Sequence, residues 1–494
     1  MSEFGKFLLL LLVLTLLVLA ADRARLILNL QQRSTRRFVH VAVALVVFWT
    51  PFLFHDVFYP ALLGGIFVVV NFASLRLGIF KGMNVDRTNL GTVYYPVSFL
   101  VLVLLFWDKA AFIVSTAMLI MGVGDPLAAI VGSSVSNTHE VLVFGERKTF
   151  EGTAAMFLAS SAMVIAGLAV FRENHSAILA LSWSTALAIS VSIGIMVAAV
   201  ELVSPRATDN FSVPLIASLL IYVAVSNPAL FDFFMIGELL AALVAGVSYL
   251  LKFLTRDGAV ATFIVGGFIF GFGGWEWAVP IMTFFIIGSI SSRLFASKKS
   301  SFNLLYEKGH TRDSGQVFAN GGVGVIAVIG SIAAPGHQWF LAYVGSLAAV
   351  TADTVATEFG VFSRRDPFSP TVWQRVAKGT SGGISAYGST AGLLAAAVLG
   401  ILALPLAGGY SGFLVRFVVL AAASGAVGSF ADSILGGTLQ SQYRCPACGK
   451  ITERKKHCGG NPTKLENGFK WINNDVVNFV ASLVGAVTMP LLFK

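Results

Sequence analysis

The sequence predicts an all-α polytopic integral membrane protein, with about 16 transmembrane helices in two repeat-related bundles of about eight. Three observations predict it. Hydrophobic residues make up 56% of the 494 and charged residues only 12%, with a mean hydropathy of +0.81, a composition that belongs to polytopic membrane proteins. Apolar runs long enough to cross a ~30 Å hydrocarbon layer, at ~20 residues each, recur along the whole chain. An acidic residue set inside an apolar, small-residue helix and followed by a lysine occurs twice, and an ionisable group at membrane depth is costly enough to mark function.

In order, the first block holds segments near 7–21, 38–56, 58–80, 92–107, 110–134, 154–171, 178–203 and 212–230. The second holds segments near 232–252, 258–275, 277–294, 318–333, 338–361, 381–405, 412–440 and 475–492. The seam is the short turn Asn227-Pro228-Ala229-Leu230, so the expected domains are 1–230 and 231–494, with a polar Cys-rich loop over 441–472. The first run resembles a signal peptide, but the arginines just after it (Arg23, Arg25, Arg33, Arg36 and Arg37) favour an uncleaved anchor with its N-terminus outside. In that orientation only Lys6, Lys109, Arg172, Arg416 and Lys494 escape the basic face, which the positive-inside rule makes cytoplasmic. The net charge of +9 therefore marks membrane sidedness and not a nucleic-acid surface. No organelle transit peptide is visible, which fits a prokaryotic plasma membrane.

The two blocks align through their polar intrusions. Arg87 to Asp125 spans 38 residues and Arg312 to Asp353 spans 41. Asp125 to Lys148 spans 23, against 25 for Asp353 to Lys378. Lys148 to Glu201 spans 53, against 54 for Lys378 to Asp432. Such intervals suggest one duplicated or fused unit, a common origin for membrane proteins of many functions.

In the first half the candidates are His40 in RRFVH, Arg87 with Tyr94 and Tyr95 in RTNLGTVYY, and Asp125 in GVGDPLAAIVG. Lys148, Thr149, Glu151 and Gly152 follow in GERKTFEGT, then Glu201, Asp209 and Asn210 in ELVSPRATDN. In the second half Arg312, Asp313, Gln316 and Asn320 stand in RDSGQVFAN, and Asp353 and Glu358 in TADTVATEFG. Lys378, Gly379, Thr380, Ser381 and Gly382 form a glycine-rich turn. Asp432 and Gln440 lie in FADSILGGTLQ, and Asn474, Asp475 and Asn478 in WINNDVVN. Carboxylates with cations at one interface suit phosphoryl transfer: the acids hold a divalent cation, the bases neutralise phosphate oxygens, and one base faces the acceptor hydroxyl. Glycines beside the lysines would let backbone N–H groups approach phosphates. Tyr94 and Tyr95 suit an interfacial aromatic belt better than a ligand role.

Cys445, Cys448 and Cys458 share one loop with His457, as CPACGKITERKKHC. That spacing offers four ligands of zinc type, with reduced thiols free of metal as the equal alternative in a reducing compartment. No G-x-x-x-x-G-K-[ST] occurs, so a nucleotide would need a membrane-embedded site of another kind.

On RRFVH, RTNLGTVYY, GDPLAAIVG, KTFEGT and ELVSPRATDNFSVP, residues 30–230 resemble the membrane CTP-dependent lipid-alcohol kinases, which include dolichol kinase, phytol kinase and a diacylglycerol kinase of yeast type. On RDSGQVFANGG, ADTVATEFG, KGTSGGIS, FADSILGGTLQ and NNDVVN, residues 235–494 are similar to the membrane family that contains plant phytyl-phosphate kinase.

Together the resemblances imply a bifunctional salvage enzyme. CTP would phosphorylate phytol or geranylgeraniol to the monophosphate, and then the monophosphate to the diphosphate. Asp125, Lys148, Glu201, Asp353 and Lys378 are the catalytic candidates. Mg²⁺ is expected on Asp125 with Glu201 or Asp209, and on Asp353, Glu358 and Asp432. Arg87, Lys148, Arg312 and Lys378 would meet phosphates, and a carboxylate or His40 would take the alcohol proton. The bilayer, the prenol and its phosphate and a nucleoside triphosphate are the expected partners, with no nucleic acid; oligomerisation is left open. A transporter or lipid flippase, and a cytidylyltransferase making CDP-linked lipids, are the alternatives.

Overall fold

The computed structural model describes residues 1–78, 90–135, 139–294, 311–406 and 414–493. Arg87 lies outside them. Among the described residues, 14 helices are long and apolar enough to cross a membrane. The 16 separate segments expected from the apolar runs differ at two places. Gly91–Ser134 and Arg256–Leu294 each run as one helix of 44 and 39 residues, broken once, at Ala110 (φ −169°, ψ 89°) and at Gly274 (φ 65°, ψ −160°). No loop separates the two parts of either, because the break is a single residue with non-helical dihedrals. A straight helix of 44 residues would be ~66 Å long, about twice the hydrocarbon layer.

The chain divides into two compact units, Met1–Asp232 and Phe233–Lys494. The first contains α1 (Glu3–Ile27), α2 (Gln32–Phe48), the short α3 (Thr50–Leu53), α4 (Phe58–Leu77) and α5 (Gly91–Ser134). After the hairpin β1 (Glu140–Val143) and β2 (Glu146–Thr149) come α6 (Phe150–Val170), the short α7 (Ser176–Leu179), α8 (Trp183–Val203) and α9 (Asp209–Ser226). Helix α5 is the centre, packed on α2, α4, α6 and α9. Every residue from Phe112 to Gly122 is buried, as expected where a helix is apolar all round. Asp125 follows less than one turn later.

The second unit takes in most of α10 (Pro228–Leu250), then α11 (Arg256–Leu294), α12 (Ser314–Ala333) and α13 (Gln338–Gly360). A two-residue ladder, β3 (Phe368–Ser369) and β4 (Gln374–Arg375), precedes α14 (Ala386–Ala403), α15 (Leu414–Thr438) and α16 (Asn474–Phe493). Helix α13 is central, packed on α11, α12, α14, α15 and α16. It is buried at every position from Tyr343 to Ala352, and Asp353 comes next. Small residues permit this close packing: a Cβ on Gly425 would stand 2.6 Å from the Cβ of Ala396 and 3.0 Å from the Ala348 carbonyl oxygen.

Between α15 and α16 the Cys-rich segment folds as a β lobe instead of an irregular loop. Strands β5 (Gln442–Arg444), β6 (Ile451–Thr452) and β9 (Lys464–Asn467) form a three-stranded sheet in the order β6-β5-β9. Strands β7 (Lys456–His457) and β8 (Asn461–Pro462) pair separately.

Candidate active sites

In the first unit the hairpin delivers Lys148. Strands β1 and β2 pair Val141 with Lys148 and Glu140 with Thr149 across a tight turn at Phe144 and Gly145, both at positive φ. Thr149 then caps α6, its hydroxyl accepting the Gly152 N–H at 3.1 Å. Anchored so, Lys148 points into the bundle. It donates to the carboxylate of Glu201 and to the Glu201 carbonyl oxygen at 3.0 Å, and pairs with Asp209 at 3.5 Å. Burial works against the ammonium, but Glu201 and Asp209, with a further pull from Asp125, outweigh it and hold Lys148 above the ordinary lysine range. One ammonium thus faces three carboxylates.

Asp125 reaches this group from α5, with His40 of α2 beside it at 3.7 Å. The His40 ring lies edge-on to Tyr95, with centroids 4.5 Å apart, and its buried Nε2 has no hydrogen-bond partner among the described residues. Asn210 donates its side-chain amide to Asp209 Oδ1 at 3.0 Å, and Ser98 fixes the Asn210 carbonyl at 2.6 Å. Glu151 stands in a separate contact, accepting from the backbone and ring of His139 at 3.1 and 2.9 Å. So Asp125, Lys148, Glu201, Asp209, Asn210 and His40 come together, Thr149 and Gly152 shape the helix start beside them, and Glu151 braces the hairpin.

The second unit holds a cavity of about 290 Å³. Arg312, Gln316 and Asn320 line it from the start of α12, Asp353 and Glu358 from α13, and Lys378, Gly379, Thr380, Ser381 and Gly382 from the glycine-rich turn. Asp432, Gln440, Asn474 and Asn478 complete the expected set. Asp313 and Asp475 are not among the lining residues. Asp313 caps α12 in a capping box with Gln316, and Asp475 is buried in the first turn of α16.

The buried Arg312 guanidinium packs over Phe284 and Phe285, at 5.1 and 5.5 Å from the ring centroids. Burial pulls it down to about 10 while Glu358 pulls it back up, so it stays cationic at neutral pH. Ser292 donates to Glu358 at 3.0 Å, and Lys378 donates to the Ser363 carbonyl at 2.6 Å. The buried Oδ1 of Asn320 and Oδ2 of Asp432 have no hydrogen-bond partner among the described residues. Such orphaned acceptors suit a cation or a donor brought by a ligand.

Among the described residues, the one group of three or more His, Cys, Asp or Glu whose ligand atoms all lie within 4.8 Å of one another is Cys445, Cys448, His457 and Cys458. Among the described residues, the carboxylates of neither unit close into such a set.

The family described as Integral membrane protein DUF92 matches residues 239–486, just over half of the chain. The chain belongs to the DUF92 family. The matched stretch contains every lining residue of the cavity. An uncharacterized membrane protein of Methanocaldococcus jannaschii is 29% identical over 241 residues, covering 49% of this chain and 86% of that protein. The chloroplastic protein VTE6 of Arabidopsis thaliana is 24% identical over 254 residues, covering 50% of this chain and 68% of that protein. A phytol kinase of Synechocystis is 31% identical over 188 residues, 38% of this chain and 77% of that enzyme. No solved structure matches the chain.

The DUF92 segment also contains site residues that the sequence did not single out. Ser429 donates to Asp353 at 3.5 Å. Glu453, from the β lobe, accepts from Ser381 at 2.9 Å and from Gln440 at 2.8 Å. Asp257, in the first turn of α11, accepts from Thr255 and from the Ser314 N–H at 2.9 Å, fixing the start of α12 beside Arg312. A lone carboxylate in a loop or at a helix start carries no spacing signal, and only the fold shows what these touch.

Proposed function

We propose that the chain is a membrane prenol kinase of two sites, the first unit converting phytol or a similar prenol to its monophosphate and the second converting the monophosphate to the diphosphate. The observation that carries the reading is the amphiphilic site of the second unit. Its polar cavity shares Arg312, Gln316 and Asn320 with a small apolar pocket lined by Val265, Phe270, Ile281, Phe284 and Phe285 among others. Cations and carboxylates beside a greasy slot suit a substrate with a phosphate head and a hydrocarbon tail. The likeness to a phytol kinase supplies the reaction class, and the motifs of residues 30–230 assign the alcohol step to the first unit.

In the first step the prenol oxygen would attack the γ-phosphorus of the nucleoside triphosphate. The new O–P bond would form as the bond to the nucleoside diphosphate breaks, and the hydroxyl proton would pass to His40 or a neighbouring carboxylate. Lys148, held charged by its acidic neighbours, would meet phosphate oxygens, and Arg87 is assigned the same role. In the second step a phosphate oxygen of the prenyl phosphate would attack the γ-phosphorus of a second nucleoside triphosphate, the new O–P bond forming as the bond to the departing nucleoside diphosphate breaks, with Arg312 and Lys378 balancing charge and Gly379 to Gly382 offering backbone N–H groups. Asp125 with Glu201 or Asp209, and Asp353 with Glu358 and Asp432, would hold Mg²⁺; the surplus of acid around Lys148 and the orphaned Asp432 oxygen fit a cation. Bound Mg²⁺ neutralises phosphate charge. CTP is the proposed donor, on the resemblance alone.

Taking each broken helix as two spans gives sixteen crossings. All the site residues then fall at the basic face, which we assign to the cytoplasm.

The test is incubation of the purified protein in detergent with phytol or geranylgeraniol, Mg²⁺ and γ-labelled CTP, following the lipid products. Label entering a monophosphate and then a diphosphate is the expected result. Label that stalls at the monophosphate removes the second step, and no labelled lipid with any nucleotide or prenol overturns the kinase reading.

A further inference from the structure

The β lobe between α15 and α16 has two unusual properties: it reaches the cavity of the second unit, and it lacks a core of its own. Over residues 441–472 the only buried apolar side chains are Tyr443, Cys445 and Ile472. A fold of that size without a core needs a staple. Its two ends are joined by Ser441 N–H to the Ile472 carbonyl at 2.8 Å, and its base is tied to the end of α15 by Phe469 N–H to the Leu439 carbonyl at 3.0 Å and the Gln442 amide to the Gly436 carbonyl at 2.8 Å. Glu453, in the middle of the lobe's sequence, folds back to the bundle and accepts the hydrogen bonds from Ser381 and Gln440.

The staple is at hand. Two turns present the Cys and His side chains to one another. In the first, the Gly449 N–H bonds the Cys445 carbonyl at 2.9 Å and the Cys445 N–H bonds the Lys450 carbonyl at 3.0 Å, with Gly449 at φ 70°. In the second, Cys458, Gly459 and Gly460 run through φ 45°, 77° and 94°, a left-handed path that a cysteine does not favour unless it is held. The three cysteines are free, and His457 Nδ1 lies 3.5 Å from Cys448 Sγ and 3.1 Å from Cys458 Sγ. Donors on a tetrahedral zinc, ~2.3 Å away for sulfur and ~2.0 Å for nitrogen, stand roughly 3.5–3.8 Å apart, close to this spacing. Glu453 lies between the two turns, after Cys448 and before His457, so any ion that joins them clamps the segment carrying it.

We propose that Cys445, Cys448, His457 and Cys458 bind a structural zinc ion that holds the β lobe against the cavity, and that the lobe thereby sets Glu453 as the positioning residue for the glycine-rich turn at 378–383. Ser381 is held directly. Gly382, at φ 81°, lies so close to α15 that a Cβ would stand 2.6 Å from the Ser433 carbonyl oxygen and 2.8 Å from Gly437. The turn is therefore pinned by α15 on one side and by the lobe through Glu453 on the other. The role in binding rests on the kinase reading of this cavity; the metal site and its grip on the turn do not.

The full-length protein is purified in detergent with Zn²⁺ present, and its metal content is measured by mass spectrometry. Hydrogen exchange is then followed at 379–383 before and after treatment with a strong chelator. We expect about one zinc per chain, less than a tenth of that in the double variant Cys445→Ser/Cys448→Ser, and at least tenfold faster exchange at 379–383 on zinc removal. Glu453→Ala should keep its zinc and still speed exchange at 379–383, while Glu453→Gln, which retains an acceptor oxygen, should restore most of the protection. Where monophosphate phosphorylation is measurable, zinc removal and Glu453→Ala should each raise KM for the nucleotide or the prenyl phosphate about tenfold, with kcat nearly unchanged. Zinc-free wild-type protein, or a turn whose exchange ignores both zinc removal and Glu453→Ala, overturns the proposal. Absence of kinase activity together with the expected exchange changes would instead overturn the kinase reading and leave the metal clamp standing.

Discussion

Gly388 lies so close to α13 that a Cβ on it would stand 2.5 Å from the carbonyl oxygen of Ala356. Ala356 is three residues past Asp353. In the first unit Gly152 has the same relation to Ala128, three residues past Asp125, with a Cβ at 2.9 Å from the carbonyl oxygen. Each glycine also donates its N–H to the residue capping its helix, Ser385 or Thr149, at 3.1 Å. In both units, then, the helix that follows the lysine-bearing loop starts directly against the helix that carries the central aspartate.

Filling either contact should displace that helix start. Overpacking of this kind costs about 1–3 kcal/mol. Gly152→Val should lower prenol phosphorylation far more than monophosphate phosphorylation, and Gly388→Val should do the opposite. Paired assays of both steps, with thermal unfolding in detergent as a control, check the assignment of one step to each unit.

The aspartates give the sharper form of that test. Asp125→Asn and Asp353→Asn preserve shape and remove a charge, so each should abolish one step, by about 100-fold or more, and spare the other. If either single variant lost both steps while still folded, the two-site scheme would fail.

Lys148 makes a prediction about stability as well as rate. Removing the ammonium leaves Glu201 and Asp209 facing each other in a buried site, and breaking such a pair costs about 3–5 kcal/mol. Lys148→Met should therefore lower the unfolding temperature and abolish prenol phosphorylation. The double variant Lys148→Met/Glu201→Gln should recover part of the stability, because the uncompensated charge is gone, but none of the activity. A double-mutant cycle measured by thermal unfolding and prenol assay separates the two effects.

Much of this was legible in the sequence, because a buried charge in an apolar helix is conspicuous. Asp125, Glu201, Asp353 and Asp432 stand out against their surroundings, and the lysine that follows each central aspartate completes a pattern that spacing alone reveals. The sixteen expected apolar runs survive for the same reason, merged into 14 long helices among the described residues. What escaped is local and geometric. The breaks at Ala110 and Gly274 fall beside Asp108-Lys109 and Glu276, where the apolar runs divide, but that each is a single residue and not a loop is a matter of dihedrals that hydropathy does not announce. The strands of the β lobe are two to four residues long, too short for an alternating pattern. Glu453 sits among charged neighbours in a polar segment, where one more acid carries no information. Asp313 shows the reverse error of emphasis: with Gln316 three residues on, it has the signature of a helix cap, and that is the place it takes.

The apolar pocket supplies a last prediction, about chain length. It is lined by Thr262 of α11 as well as by Phe270, Phe284 and Phe285, and meets the polar cavity at Arg312, Gln316 and Asn320. A prenyl phosphate with its head near Arg312 would lay the first part of its tail there. Each methylene buried is worth about 0.8 kcal/mol, so blocking the slot should weaken binding in proportion to the length of chain displaced. Thr262→Trp adds bulk to the slot without touching any charged group of the cavity. It should raise KM for geranylgeranyl or phytyl monophosphate at least tenfold, leave kcat nearly unchanged, and have little effect on a five-carbon prenyl phosphate. Steady-state assays across a series of chain lengths check this. An equal loss at every length would place the tail elsewhere between the helices and leave the pocket as packing.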